Sequence, residues 1–130
     1  MRRFSFEVPS VPGRALSPNA SRKQHWGHRR DAKDEMKTDW GNAIKEARGR
    51  LRLWDSPLFL GEVSCTIEVY WPPKRKGMDE DNLRSCFKWG VDQLEVNGIV
   101  ENDRQLTFPK PTQQEDPEKR GFVRVTLEGE

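Results

Sequence analysis

The sequence predicts an α+β fold in which a mixed sheet of about four strands carries two main helices, in the order β-α-β-α-β-β. Apolar residues alternate with polar ones in short runs, and they recur every three or four residues in two longer runs. The 130 residues predict a single domain, 1–130, with a modest core. Although 34% of the residues are charged, five Trp and six Phe supply bulky core material, so disorder throughout is not expected.

The amino-terminal part is predicted to form a strand, a loop and a long helix. Residues 3–8 alternate apolar and polar side chains and are followed by Pro9, which indicates a strand and its end. The proline-rich residues 9–20 are typical of a loop. From about residue 29 to residue 51, an apolar stripe predicts an amphipathic helix packed in the core. The stripe consists of Met36, Trp40, Ile44, Ala47 and Leu51.

Three further strands are predicted. Residues 62–71 show the clearest alternation in the chain, and Pro72-Pro73 ends it after a rigid strand. Residues 105–108 and 122–127 are predicted to be shorter strands that pair as a hairpin. The polar, proline-containing residues 110–120 are predicted to form a mobile loop between them.

The second helix is predicted within residues 74–103. A basic run at 74–76 is followed by three consecutive acids at 79–81 and then by a helical pattern that Asn97-Gly98 ends. The predicted buried stripe is Leu83, Phe87, Val91 and Leu94. On the opposite face, four polar side chains fall within about 60° of one another at helical spacing. They are Asp81, Ser85, Lys88 and Asp92.

This stretch has the residue types of a metal-dependent phosphodiesterase site. Two carboxylates two residues apart, with a third returned by a turn, suit a hard cation such as Mg²⁺, which also binds water and substrate phosphate. A neighbouring lysine could stabilise charge that develops on a phosphate. The same acids also suit a simpler role, because carboxylates at a helix start cap the helix and complement its dipole. An EF-hand is not predicted, because its glycine and its terminal glutamate are absent.

The order of these residues resembles the RusA-like crossover junction endodeoxyribonucleases, which are Holliday junction resolvases. Their pattern is D-x-D-N-L, a helix lysine, D-x-L, a glycine turn and a final pair of acids. The chain matches it at Asp79-x-Asp81-Asn82-Leu83, Lys88, Val91-Asp92-x-Leu94, Asn97-Gly98-Ile99-Val100 and Asn102-Asp103. Two positions depart from the family. Ser85 stands where the shortest form of the motif has the lysine, and Asn102 replaces the first acid of the final pair.

The resemblance implies a Mg²⁺-dependent endonuclease, with Mn²⁺ as a second candidate cation, that resolves four-way DNA junctions in recombination and repair. It implies that Asp79, Asp81 and Asp103 are metal-binding and catalytic residues and that Lys88 is the catalytic lysine. It also implies a homodimer, because a four-way junction is nicked on two strands by two equivalent sites. Because of Asn102 and the displaced lysine, a relative that binds junctions without cutting them is the alternative.

Two basic clusters are predicted to contact DNA phosphates. One is the run of Lys74, Arg75 and Lys76, and the other includes Arg29 and Arg30. Near the second cluster, Leu16-Ser17-Pro18-Asn19 and His25-Trp26 are loosely similar to the amino-terminal part of the same family. His25 and His28 lack further ligands and are interpreted as surface or hydrogen-bonded residues.

Net charge, cysteine spacing and apolar runs bear on the partner, the role of the cysteines and the location of the protein. The net charge of +2 is too small to demand a nucleic-acid partner by itself. Cys65 and Cys86 fit no metal or redox spacing and are interpreted as reduced structural residues. No apolar run is long enough to span a membrane, and no apolar segment follows the basic start, so neither a membrane anchor nor a signal peptide is predicted. The expected location is the cytoplasm.

Overall fold

A computed structural model describes residues 1–12, 26–75 and 77–130, with the side chains of the first helix described from residue 30 onward. It confirms the predicted α+β fold, with helices packed on a mixed sheet that has five strands. The elements are β1 (Arg2–Val8), α1 (Trp26–Leu51), β2 (Val63–Trp71), α2 (Glu80–Cys86), α3 (Lys88–Val96), a 3-10 turn (Asp103–Gln105), β3 (Leu106–Thr107), β4 (Thr112–Glu115) and β5 (Phe122–Gly129).

The sheet is ordered β1-β5-β2-β3, and β4 pairs with β2 farther along the same edge. Strand β5 is antiparallel to both of its neighbours, β1 and β2, whereas β3 and β4 run parallel to β2. The predicted hairpin between the last two strands is therefore wrong, because β3 pairs with β2 and not with β5. The predicted loop at 110–120 contains β4, whose four exposed polar residues carry no alternation that could have revealed it.

The core lies between the apolar face of the sheet and the helices α1 and α3. Its centre is Trp40, which is 1% exposed, and the Trp40 ring contacts Phe6 at 5.6 Å and Phe87 at 5.8 Å between ring centroids. Helix α3 approaches this ring closely because Gly90 has no side chain. A Cβ at that position would lie 2.4 Å from the Trp40 ring. The small residue at 90 thus sets the distance between the two helices.

The second predicted helix is divided into α2 and α3 at Phe87. The Phe87 N–H donates to the carbonyl of Arg84 at 3.3 Å, which is the tighter spacing of a 3-10 turn, and Val91 resumes α-helical bonding to Phe87 at 2.9 Å. The predicted apolar stripe is nevertheless buried at Leu83, Phe87 and Leu94, and Val91 is half-buried.

A buried arginine joins the ends of α1 and α3. Arg48 is only 8% exposed, and its guanidinium donates to the carbonyls of Leu53 (3.0 Å), Asn97 and Asp55. Asn97 is the C-cap of α3, so the positive charge also lies at the negative end of that helix dipole. The planar guanidinium has enough donors to bind three carbonyls at once.

A buried carboxylate organises the turn between β4 and β5. Asp116 is 2% exposed and accepts the backbone N–H groups of Glu118 (2.9 Å), Arg120 (3.0 Å) and Gly121 (3.1 Å). Burial by itself would raise the pKa of the Asp116 carboxyl. The three N–H donors and the nearby Arg120 charge outweigh that effect, so the pKa is lowered.

This lowered pKa predicts an acid-dependent loss of stability. Because the folded pKa lies below the ordinary value of 3.8, the Asp116 contribution is complete above that pH and is lost as the pH falls through the folded pKa. We expect Asp116→Asn to lower the free energy of unfolding at neutral pH. We also expect the free energy of unfolding to fall less steeply with acidification in this variant than in wild type, as measured by urea denaturation from neutral to acid pH. Asp55→Asn, which removes an exposed carboxylate, is the control. If the free energy of unfolding falls equally steeply at acid pH in wild type and in Asp116→Asn, the stabilising role of the Asp116 carboxylate is contradicted.

Candidate active site

A cavity of about 340 Å³ opens between β2, the two short helices and the segment that follows Asp103. Four charged side chains, two basic and two acidic, line it together with an apolar wall. The charged residues are Arg84, Lys88, Asp92 and Asp103, and the wall consists of Cys65, Ile67, Phe87, Val91, Phe108, Pro109 and Pro111. The structure thus brings together two of the predicted catalytic residues, Lys88 and Asp103.

Three of the charged residues line the cavity from α2 and α3, where they follow one another at four-residue intervals. Arg84 lies in the last turn of α2, Lys88 is the first residue of α3, and Asp92 follows four residues later. The exposed guanidinium of Arg84 pairs with Glu80 at 3.0 Å, and Glu80 also lies 3.7 Å from the Lys110 amine. These contacts connect the start of α2 to the chain that follows β3.

Asp103 is delivered by the turn after α3. Gly98 has a φ of +73°, a conformation that favours glycine, and the chain then enters the core at Ile99 and Val100. The N–H of Ile99 donates to the carbonyl of Leu94 at 2.8 Å, which closes the helix end. Asp103 follows this buried pair as the first residue of the 3-10 turn.

Hydrogen bonds on both sides fix the 3-10 turn. Asn102 caps it by accepting the N–H of Arg104 at 2.9 Å, and the Gln105 side chain accepts the N–H of Asn102 at 3.1 Å. Gln105 also donates to the carbonyls of Phe59 (3.0 Å) and Gly61 (2.8 Å). Asn102, the departure from the family's acid pair, therefore has a local structural role as a cap.

Asp79 and Asp81 lie at the start of α2 and do not line the cavity in the part of the chain that the structure describes. Asp79 is the N-cap, and both of its oxygens are bound to Asn82, one to the backbone N–H at 2.9 Å and one to the side-chain amide at 2.8 Å. Asp81 is exposed. The capping role that the sequence also allowed is thus present at Asp79. Of the four polar residues predicted on one helix face, Lys88 and Asp92 line the cavity.

Of the three predicted metal-binding aspartates, Asp103 lines the cavity. Within residues 1–12, 26–75 and 77–130, no group of three or more His, Cys, Asp or Glu side chains is arranged to hold a metal ion. The cavity itself carries two carboxylates, Asp92 and Asp103. Two carboxylates, completed by water and substrate phosphate, are a usual protein contribution to a Mg²⁺ site. The chemistry of the cavity therefore fits a hydrated divalent cation.

Of the predicted phosphate-binding side chains, the structure describes Lys74, Arg75 and Arg30. Lys74 is exposed, whereas the Arg75 guanidinium donates to the carbonyl of Pro12 and lies 4.9 Å from the centroid of the Trp71 ring. Arg30 is exposed on α1. Lys76, the side chain of Arg29, the loop at 13–25 with its loose family similarity, and the side chain of His28 lie outside the described residues.

The cysteine in the cavity wall is not a nucleophile. Burial raises the pKa of the Cys65 thiol to about 12, so it stays protonated at neutral pH. This agrees with its interpretation as a structural residue.

No role in the site was assigned to Arg84 or Asp92 from the sequence. Asp92 could have been found from its spacing, because it lies four residues after Lys88 on the same helix face. Phe108 and the two prolines of the wall carried no such signal. They approach the helices only because the chain after Asp103 returns along β2.

In the described segments no helix is both long and apolar enough to cross a membrane. A scan against protein-family models finds no match to the chain, and a search of curated proteins finds no significant match.

Proposed function

We propose that this protein is a Mg²⁺-dependent, structure-selective DNA endonuclease that resolves four-way junctions, with Mn²⁺ as an alternative cation. The observation that carries the proposal is the cavity in which Lys88 and Asp103 meet, although they lie on separate elements. The resemblance of residues 79–103 to RusA-like resolvases supports the choice of substrate.

The cavity residues divide into two roles. Asp103 and Asp92 would supply oxygen donors to the cation, which when bound polarises a phosphate and acidifies water. Lys88 would place its positive charge on the phosphate group as negative charge develops there.

Asp79 and Asp81 are the further carboxylates that the resemblance implies. Asp81 lies three residues before Arg84 on α2, so it is close in the chain to the cavity although it does not line it. Its exposed side chain leaves it accessible to substrate or cation. Two copies of the chain would act on one junction, because symmetric nicking of two strands needs two equivalent sites. The reaction would take place in the cytoplasm, where branched DNA is processed.

A second candidate function is junction binding without cleavage. One observation favours it: both oxygens of Asp79 accept hydrogen bonds from Asn82, one of them as the cap of α2. In this alternative the protein would hold branched DNA for another factor.

A nicking assay on a synthetic four-way junction, titrated with Mg²⁺ and Mn²⁺, separates the two functions. We expect wild type to nick the junction and Asp81→Asn to bind it without Mg²⁺-dependent nicking, because the exchange removes a negative charge and keeps the shape. Asp34→Asn is the matched control, since Asp34 is exposed on α1 and does not line the cavity. Normal nicking by Asp81→Asn would remove that residue from the site.

Binding without nicking by wild type at every metal concentration would favour the second function. In that case Asn102→Asp becomes informative, because aspartate can keep the capping bond to Arg104 and restores the family's acid pair. Nicking that appears only in Asn102→Asp would show that a missing carboxylate limits cleavage.

A further inference from the structure

Three lysines surround the ring of Trp89 at the junction of α1 and α3. The amines of Lys33, Lys88 and Lys37 lie 4.2, 5.1 and 5.5 Å from the ring centroid. These distances are in the range of favourable cation–π contacts. We call this group the Trp89 lysine cluster.

The amines of this cluster form no close ion pair within the described chain. None of the three amines lies within 4.0 Å of a carboxylate in the segments 1–12, 26–75 and 77–130. Like charges held near one ring repel one another, whereas the cation–π contacts attract each amine to the ring. An anion bound between the lysines would relieve the repulsion.

The cluster is continuous with the cavity because Lys88 belongs to both. Its amine lies near Trp89, and the same side chain lines the cavity with Asp103. Lys33 and Lys37, one helical turn apart on α1, extend the positive charge away from the cavity. A polyanion that enters the cavity would therefore pass over the cluster.

We propose that the Trp89 lysine cluster binds the sugar–phosphate backbone of the duplex arm that leads into the cavity. Duplex DNA carries one negative charge for about every 1.7 Å of its axis, so neighbouring phosphates can occupy several lysines at once. Contacts of this type position the nucleic acid without reading its sequence. The inference rests on the proposed function for the identity of the partner, and it can be tested without cleavage.

The test measures how salt weakens DNA binding by the double variant Lys33→Gln/Lys37→Gln. Each lysine that contacts a phosphate contributes about 0.9 to the slope of log affinity against log salt concentration. We expect the double variant to lose about 1.8 from this slope on both a four-way junction and a plain duplex. Lys45→Gln is the matched control, because Lys45 is exposed on the same helix but is not in the cluster, and it should keep the wild-type slope.

A second pair of measurements separates DNA binding from simple packing of Trp89. Lys33→Arg/Lys37→Arg keeps both charges and should keep the slope, and thermal unfolding followed by circular dichroism checks that each variant folds. If the lysine stems only cover the ring, the Gln variant would change stability without changing the slope, and the proposal would be overturned.

The outcomes distinguish this proposal from the proposed function. A reduced slope in the Gln variant, together with a wild-type protein that never nicks junctions, would support the cluster and contradict the nuclease. Normal nicking with an unchanged slope in the Gln variant would support the nuclease and overturn the cluster. If the wild-type protein binds neither the four-way junction nor the plain duplex, the proposal for the cluster is overturned.

Discussion

Replacing Lys88 with methionine is expected to slow junction nicking by about 100- to 1,000-fold. This is the loss typical when one preorganised group that stabilises transition-state charge is removed. Methionine keeps much of the apolar stem and removes the positive charge from the cavity that also contains Asp103. The measurement is the single-turnover nicking rate with protein in excess over junction.

The assay must separate chemistry from binding, because Lys88 also belongs to the Trp89 lysine cluster. A saturating protein concentration compensates for weaker binding, and a direct binding titration in Ca²⁺ in place of Mg²⁺ measures that weakening. Lys45→Met, an exposed lysine on α1 outside the cavity, is the matched control and should nick at the wild-type rate. An unchanged rate for Lys88→Met at saturation would remove Lys88 from the catalytic group.

Replacing Arg48 with methionine is expected to lower the free energy of unfolding by about 3–5 kcal/mol. The change deletes three hydrogen bonds from a charged donor, each worth about 1.5–3 kcal/mol, and their effects are not additive because the carbonyls can bind water after the loss. The freed carbonyls belong to Leu53, Asp55 and Asn97, at the ends of α1 and α3. Urea denaturation measures the loss.

The control for Arg48 is its exposed neighbour Arg50. Within the described residues, Arg50 pairs with Glu46 on the surface, at 3.3 Å, and such pairs contribute about 0–1 kcal/mol. Arg50→Met should therefore change stability little. Arg48→Lys should recover only part of the loss, because one ammonium lacks the planar set of donors that reaches three carbonyls. Similar stabilities of Arg48→Met and Arg50→Met would contradict the joining role of Arg48.

The strands with one buried face were predictable because side chains alternate between the two faces of a sheet. Strand β2 buries every second residue from Val63 to Trp71, so its alternation is complete. Strand β4 lies at the edge of the sheet with all four residues exposed, so nothing in its composition distinguishes it from a loop. The pairing of β3 with β2 depends on where the turn after α3 returns the chain, which local sequence does not specify.

The site was predictable in part. The helical pattern and the glycine turn predicted a lysine and a returning aspartate on neighbouring elements, and the structure places Lys88 and Asp103 in one cavity. The break at Phe87 was not predictable, because the Phe87 side chain fits the apolar stripe of a continuous helix. Only its backbone hydrogen bond to Arg84 departs from α-helical spacing. Asp81 lies before this break and does not line the cavity, whereas Lys88 lies after it and does.

The amino-acid sequence by itself indicated most of the buried face of α1, of β2 and of the central helical segment, although the predicted core residue Leu51 is exposed. It also gave the chemical groups on the central segment, because their spacing follows the helical period. Only the tertiary structure decided which of those groups meet. It placed Arg84, Lys88, Asp92 and Asp103 around one cavity, used Asp79 as a helix cap, and gathered three lysines around Trp89. The physical reason is that such meetings depend on how α1, α3 and the chain after Asp103 pack together, and packing joins residues that are far apart in the chain.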